Sequence, residues 1–203
     1  GSVDETFATL DGVGNTVKRE GNLGAPVDLA VTTRVVEFND LAGMEAALAH
    51  GDVAAILMEP AMTNVGIVLP EDGYLMAVQE MAKKYGALLI IDETHTISVG
   101  PGGMTQDLGL KPDFLTIGKA IAGGIPVGTF GMTEEVANSI KKLVELEIID
   151  TGGIGSTLAG NAMSLAAMRA TLSEVLTADA FKEMIALGDR WSDGVDAAIA
   201  EFD

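Results

Sequence analysis

Cysteine is absent from this chain of 203 residues, and histidine occurs only at positions 50 and 95. The lack of cysteine excludes a disulfide framework, a thiolate metal site and a cysteine nucleophile. Two histidines cannot by themselves supply a histidine-rich metal site. We therefore expect no metal site and no cysteine chemistry.

Basic residues and long apolar runs are also scarce. Only 12 lysines and arginines stand against 30 acidic residues, which gives a formal net charge of −18. Such a surface repels phosphate backbones and anionic membranes, so nucleic-acid and membrane partners are disfavoured. No apolar run approaches the roughly 20 residues that a membrane helix needs. The first residues, GSVDE, lack the basic and apolar regions of a signal peptide, so we expect a soluble, cytoplasmic protein.

The chain does contain an alternation of strand and helix patterns. Residues 1–32 are glycine-rich and indicate a surface loop or an unsupported edge. Strands are then predicted at 33–38, 53–58, 87–91, 113–117 and 127–131, and helices at 41–49, 71–85, from 133, at 158–174 and at 179–201. Several strands are continuous apolar runs, which predicts an α/β fold with a mostly parallel sheet, buried on both faces and flanked by helices. Ligands of such sheets bind at strand ends.

Two reactive side chains follow two of these strands. Asp92 ends the apolar run 87–91, and Lys119 follows the run 114–118 beside a glycine pair. We expect Lys119 to be partly withdrawn from water, with an amine that can form a Schiff base with an aldehyde. A carboxylate at a strand end can keep a ring nitrogen protonated. Singly, these could be a surface lysine and a turn-capping aspartate, but together they indicate pyridoxal 5′-phosphate (PLP) chemistry.

Neighbouring residues could complete such a site. His95 could touch a cofactor oxygen or simply hydrogen-bond within the fold, and Thr94 could pack on a ring face. Glu59 ends another predicted strand. Residues 152–157, GGIGST, precede a predicted helix, where backbone N–H groups and hydroxyls could bind an anion. An ordinary glycine-rich connector explains that run equally well.

The run IIDETH at 90–95 also has the form of the Mg-binding strand of an ATP-dependent DExH-type motor. Such a motor needs a phosphate loop of the form GxxxxGK followed by serine or threonine. The only Gly-Lys pair lies at 118–119, where Asp113 occupies the place of the first glycine and Ala120 replaces the hydroxyl residue. The acidic charge also opposes nucleic-acid work, so the motor is the weaker interpretation.

Four short segments carry a family pattern. They are MEP at 58–60 with NVG at 64–66, IDET at 91–94, IGK at 117–119 with GG at 123–124, and STLAGN at 156–161. In their order and spacing they resemble class III aminotransferases of PLP fold type I, close to the glutamate-1-semialdehyde 2,1-aminomutase branch. The resemblance implies that the sheet belongs to the large domain of such a PLP-dependent transferase.

The resemblance also implies roles for individual residues. Lys119 would form the Schiff base and move a proton, and Asp92 would hold the pyridine nitrogen. Thr94 stands where the family usually has a valine on the ring, and His95 stands where it has glutamine or methionine near the ring hydroxyl. Further cofactor-binding positions are implied at Glu59, Asn64, Ser156 and Thr157. The threonine would reach the phosphate of a neighbouring subunit's cofactor, which implies a homodimer with a shared active site.

Members of this family are longer and have two structural domains. We therefore expect residues 1–32 to form a leading segment, residues 33–175 to form part of the PLP-binding core, and residues 176–203 to form a trailing helix towards a small domain. The implied enzyme is an aminotransferase that moves an amino group between an amino compound and a keto acid or aldehyde. The alternatives are an aminomutase, which moves the group within one substrate, and a non-catalytic fragment.

Overall fold

A computed structural model of the chain describes residues 8–18, 28–142 and 158–202. Its strands are β1 (Ala8–Leu10), β2 (Thr16–Lys18), β3 (Ala55–Met58), β4 (Leu88–Asp92), β5 (Phe114–Gly118) and β6 (Gly128–Met132). Its helices are α1 (Leu29–Thr32), α2 (Leu41–Leu48), α3 (Tyr74–Tyr85), α4 (Gly103–Asp107), α5 (Glu134–Lys142), α6 (Ala162–Ala170) and α7 (Ala178–Phe202). Short 3-10 segments at Thr96–Val99 and Lys119–Ala122 follow β4 and β5, and a π-helical turn at Thr171–Val175 follows α6.

The main sheet of the described residues has the strand order β3-β4-β5-β6. β3 pairs with β4 and β4 pairs with β5 in parallel, whereas β6 runs antiparallel to β5. The prediction of an α/β fold with a mostly parallel sheet is confirmed. The carboxyl ends of β4 and β5 therefore lie at the same edge of the sheet, because parallel neighbours share one direction.

One face of this sheet carries the core. Ile56, Leu89 and Ile91 are buried against α2 and α3. Helix α3 presents its apolar residues at three- and four-residue steps, with Leu75 and Val78 buried and Met76 exposed. Burying each such aliphatic side chain contributes about 1.5–3 kcal/mol, so this face supplies much of the stability of the fold.

The opposite face of the sheet is open in the described part of the chain. Leu57 is 57% exposed, Leu88 is 37% exposed and Phe130 is 46% exposed. The prediction of a sheet buried on both faces is therefore wrong for these residues. The apolar runs correctly indicated strands with two apolar faces. They did not indicate whether another segment of the chain covers each face.

One predicted strand and one predicted helix boundary are also wrong. Residues 33–37 form no strand, although Val36 and Phe38 pack against the core. Their alternation reports which side chains are buried, but a strand needs a backbone partner as well. The predicted helix at 158–174 begins only at Ala162, where the Asn161 side chain accepts a hydrogen bond from the Ser164 N–H at 2.9 Å and caps α6.

The leading residues hold more structure than the expected loop. β1 and β2 pair in antiparallel fashion around a turn that Asp11 organises, since its carboxylate accepts hydrogen bonds from the backbone N–H groups of Val13 and Asn15, each at 2.9 Å. These contacts hold the pKa of Asp11 below its usual value, chiefly through the Asn15 N–H. Glycine richness predicted a surface loop or an unsupported edge here and did not identify the two paired strands.

Candidate active site

Asp92 and Lys119 lie at the shared edge of the sheet. Asp92 is the last residue of β4 and pairs in register with Thr116 of β5. Lys119 follows β5 directly, three residues further along that strand's direction. The alternation of side chains places Asp92 on the face that carries Ile90, which is the open face. Sequence reasoning placed both residues at strand ends, and the structure puts those ends side by side.

The backbone of Lys119 is held in an unusual conformation. Its φ is 46°, in the left-handed region, which costs a non-glycine residue about 1–2 kcal/mol. The residue opens a 3-10 segment whose last two members, Ile121 and Ala122, are almost fully buried. That segment packs against α6 and the following π-helical turn. Strain of this kind persists only where the surroundings fix it, and it is concentrated at functional sites.

The amine of Lys119 contacts the imidazole of His95. Its Nζ lies in hydrogen-bonding contact with His95 Nε2. The lysine residue is otherwise exposed, so the expectation that it is partly withdrawn from water is wrong for this chain. The strand end delivers the amine to the edge of the sheet, but on the open face nothing among the described residues covers it.

Thr94 joins the two strand ends. Its backbone N–H donates a hydrogen bond of 2.9 Å to Asp92 Oδ1, which orients the carboxylate. A side chain added at Gly118 would stand 3.7 Å from the Thr94 hydroxyl and methyl carbon. Strand geometry ends at Asp92, so Thr94 lies in the turn after β4 and reaches the site from there.

Glu93 anchors this turn, a role that the sequence reasoning missed. The residue is completely buried, and its carboxylate accepts hydrogen bonds from Thr96 Oγ1 at 2.5 Å and from the backbone N–H groups of Thr105 at 2.5 Å and Met104 at 3.3 Å. These contacts tie the end of β4 to the start of α4. An acid directly after an apolar strand, followed ten residues later by Gly103, is the signal that could have found it.

The remaining predicted site residues follow β3, whose carboxyl end shares this edge of the sheet with that of β4, or fall outside the described residues. Glu59 is half-buried and accepts a hydrogen bond from Thr63 Oγ1 at 2.7 Å. Asn64 is exposed in the loop that follows. Ser156 and Thr157 fall outside the described residues, so their predicted contacts stay predictions.

A separate cleft of about 530 Å³ lies between the β1–β2 hairpin and α2, away from this edge. Arg34 lines it and makes a two-point ion pair with Asp52 at 2.6 and 2.8 Å, and this guanidinium holds the pKa of Asp52 below its usual value. Within the described ranges, no group of three or more His, Asp or Glu side chains could hold a metal ion. Across those same ranges, no helix is both long and apolar enough to cross a bilayer.

The residues at the strand ends suit a ring that carries an aldehyde. Lys119 offers an amine for the aldehyde carbon, and Asp92 offers a fixed carboxylate for a cationic ring nitrogen. An amine and an oriented carboxylate at adjoining strand ends fit PLP.

Comparison with known proteins gives the family. The family described as Aminotransferase class-III matches residues 25–201. Glutamate-1-semialdehyde 2,1-aminomutase of Anaeromyxobacter sp. (strain Fw109-5) is 37% identical over 177 residues, covering 85% of this chain and 39% of the relative. The enzyme of the same name from Methanocorpusculum labreanum is 41% identical over 154 residues, covering 74% of this chain and 35% of the relative.

Solved structures agree with this result. A glutamate-1-semialdehyde-aminomutase from Pseudomonas aeruginosa PAO1 is 49% identical with a TM-score of 0.93, covering 99% of this chain and 45% of that one. A lysine-to-alanine variant of an enzyme of that name and source was solved in complex with PMP. An omega-transaminase from Sphaerobacter thermophilus is 29% identical with a TM-score of 0.76, covering 99% of this chain and 47% of that one. This chain spans less than half the length of these relatives, and it belongs to the class III aminotransferase family.

Proposed function

We propose that the chain is the cofactor-binding part of a PLP-dependent enzyme that transfers amino groups, with Lys119 as the residue that binds the cofactor covalently. The observation that carries the proposal is the convergence of Lys119 and Asp92 at the carboxyl ends of two neighbouring parallel strands. Family membership supports it, and so does the structural relative solved with PMP.

The roles follow from the chemistry of the side chains. When bound, PLP supplies an aldehyde for an amine and a ring that withdraws electrons from the substrate Cα. Lys119 Nζ would hold the group covalently through its aldehyde carbon. Asp92 would keep a ring nitrogen protonated, and the Thr94 N–H orients that carboxylate. The Lys119 amine, when it is not bound to the group, would be the base that moves a proton at the substrate Cα.

Covalent trapping tests the assignment. PLP is added to the 203-residue chain, borohydride reduces the adduct, and peptide mapping locates the added mass. We expect the mass on the peptide that contains Lys119 and its loss in Lys119→Ala. Lys111→Ala is the matched control, because Lys111 is also exposed and lies before β5. An adduct mainly on other lysines, or unchanged labelling in Lys119→Ala, would reject the assignment.

The names of the relatives favour a second outcome for the same site. In an aminomutase the amino group would move within one substrate, and relatives of that name are 37–41% identical to this chain. The PLP-loaded protein can be given glutamate 1-semialdehyde alone, without a keto acceptor. An isomer with the amino group moved from carbon 2 to carbon 1 supports the aminomutase. A requirement for an amino donor and a separate keto acceptor supports the aminotransferase.

We also infer a homodimer. The support is the family position of Thr157, which would serve the partner's cofactor phosphate. Sedimentation velocity of the chain, with and without PLP, tests this inference, and a monomer under both conditions would contradict it. The cytoplasmic location and the division at residues 32 and 175 stay predictions from the sequence.

A further inference from the structure

We propose that His95 is the proton acceptor for Lys119, so that a neutral imidazole prepares the amine for attack on an aldehyde. The inference deepens the proposed function and rests on Lys119 being the covalent residue. His95 stands where the family pattern has glutamine or methionine. The proposal gives this histidine a role toward the lysine amine, which is separate from a contact with a cofactor oxygen.

The first support is the contact itself, between Lys119 Nζ and His95 Nε2. When the lysine is an ammonium it can only donate, so Nε2 is then the acceptor and the imidazole carries its proton on Nδ1. Neither glutamine nor methionine offers a basic nitrogen at this position, so only the histidine can take the proton as well as accept the hydrogen bond.

The second support is that both backbones are fixed. On one side, the His95 carbonyl accepts hydrogen bonds from Ser98 Oγ at 2.7 Å and from the Ser98 N–H at 3.2 Å. Glu93, two residues before His95, is buried and accepts hydrogen bonds from backbone N–H groups of α4. On the other side, the left-handed backbone of Lys119 is held by the buried Ile121 that follows it. Anchored segments therefore bring the two backbones close enough for Nζ and Nε2 to meet.

The proton balance is simple. The ammonium gives one proton to Nε2, which leaves a neutral amine and an imidazolium. The amine nitrogen attacks the aldehyde carbon, its two remaining protons depart with the carbonyl oxygen as one water, and a carbon–nitrogen double bond replaces the carbonyl bond. The imidazolium then releases its proton to solvent. General base assistance of this kind accelerates a reaction by about 10²–10⁴-fold.

The first arm of the test needs no cofactor. The chain holds only two histidines, and His50 is exposed at the far end of α2, so it serves as an internal reference. Long-range ¹H–¹⁵N NMR spectra at about pH 8.5, where an ordinary imidazole is neutral, report which ring nitrogen carries the proton. We expect the Nδ1–H tautomer for His95. In Lys119→Met the ratio of the Nδ1–H and Nε2–H tautomers of His95 should change, and that of His50 should not. An Nε2–H form of His95, or identical spectra in Lys119→Met, would overturn the proposal.

The second arm measures the reactivity of the amine with pyridoxal, which carries the aldehyde but no phosphate. Adducts are trapped with borohydride at intervals, and the rate is read from the Lys119 peptide. We expect His95→Gln to slow labelling of Lys119 by about 10²-fold. His50→Gln should leave that rate unchanged, and labelling of Lys84 and Lys111 should not respond to either change. Imidazole added to His95→Ala should restore part of the rate, which a loss of packing alone would not allow.

The two proposals fail in different ways. If His95→Gln captures pyridoxal at Lys119 as fast as the unmodified chain, the role of His95 is rejected while the covalent role of Lys119 stands. If PLP forms no adduct at Lys119 but the NMR pattern is as expected, the proposed function fails and the contact between the two side chains is still established.

Discussion

On one face of the main sheet, Leu89 and Ile91 are sealed beneath α2 and α3 with 2% and 1% of their surface exposed. On the other face, Leu88 of the same strand and Leu57 of the neighbouring β3 meet solvent, and Asp92 shares that face. The chain thus separates its two tasks: the covered face holds the fold together, and the open face presents the groups that can react. Changes on the open face should alter chemistry with little effect on stability, and changes on the covered face should do the reverse.

The largest effect should come from truncating the covered face. Ile91→Ala removes buried methyl groups and leaves a cavity, so we expect a loss of about 2–5 kcal/mol in the free energy of unfolding. Leu57→Ala lies one strand away on the open face and should change it by about 0.5 kcal/mol or less. Urea unfolding followed by circular dichroism measures both. Equal losses of unfolding free energy in the two variants would show that the open face is covered in solution, and the contrast between the two faces would then fail.

The second effect tests whether the turn beside the open face is packed as tightly as the core. Gly103 and Gly109 have similar left-handed backbones, with φ of 62° and 66°. A Cβ at Gly103 would stand 2.4 Å from Glu93 Oε2, whereas a Cβ at Gly109 would meet nothing within 4 Å. Both alanine variants bear the cost of the left-handed region, about 1–2 kcal/mol. Gly103→Ala should lose a further 1–3 kcal/mol or so from overpacking, measured as the difference in urea unfolding between the two variants.

The third effect concerns strain at the reactive residue. Glycine adopts the left-handed region without the penalty that alanine meets there. Lys119→Gly should therefore be more stable than Lys119→Ala by about 1 kcal/mol, the reverse of the usual order. Ala120→Gly is the control, because its backbone is not left-handed, and it should be destabilising. Thermal unfolding compares the three, and a Lys119→Ala variant as stable as Lys119→Gly would show that position 119 stores no strain.

The smallest expected effect on stability comes from a surface contact between α2 and α3, the helices that cover the core. Glu45 of α2 accepts hydrogen bonds from Lys84 Nζ at 2.7 Å and from the Tyr85 hydroxyl at 3.0 Å at the end of α3. The lysine contact, followed by the tyrosine contact, lowers the pKa of Glu45 in the folded protein. The stabilisation is therefore fully present above the unfolded pKa and is lost as pH falls through the lowered folded pKa. Glu45→Gln should reduce Tm slightly at neutral pH and not in strong acid, while Glu80→Gln, an exposed change on α3, should show no such pH dependence.

Much of the fold was predictable because its elements have clear periods. Helix α3 was predicted at 71–85 and forms at Tyr74–Tyr85, and the strands 87–91 and 113–117 form at Leu88–Asp92 and Phe114–Gly118. The register between strands and the choice of a covered face were not predictable, because they depend on which segments meet in space. Residues 33–38 show the same limit, since their alternation marked burial without a backbone partner.

For the candidate site, the placement of residues at strand ends was predictable, but their side-chain contacts were not. Two parallel strands that end in Asp92 and just before Lys119 place these residues at one edge, whatever the details of packing. The contact between Lys119 and His95 was not predictable, because it requires a left-handed backbone at one residue and the burial of Glu93 beside the other. Local sequence does not encode the first condition. The signal for the second, an acid after an apolar strand with Gly103 ten residues later, does not say which side chain His95 will meet.

β3 lies at the edge of the main sheet in the described residues, and Leu57 projects from it into solvent. A row of backbone N–H and C=O groups beside an apolar side chain is a template on which another chain can add a strand. The formal charge of −18 opposes that encounter at low ionic strength. At about 1 M salt the screening length falls to about 3 Å, so concentrated solutions of the chain should lose solubility as salt is added, beginning with pairing at this strand.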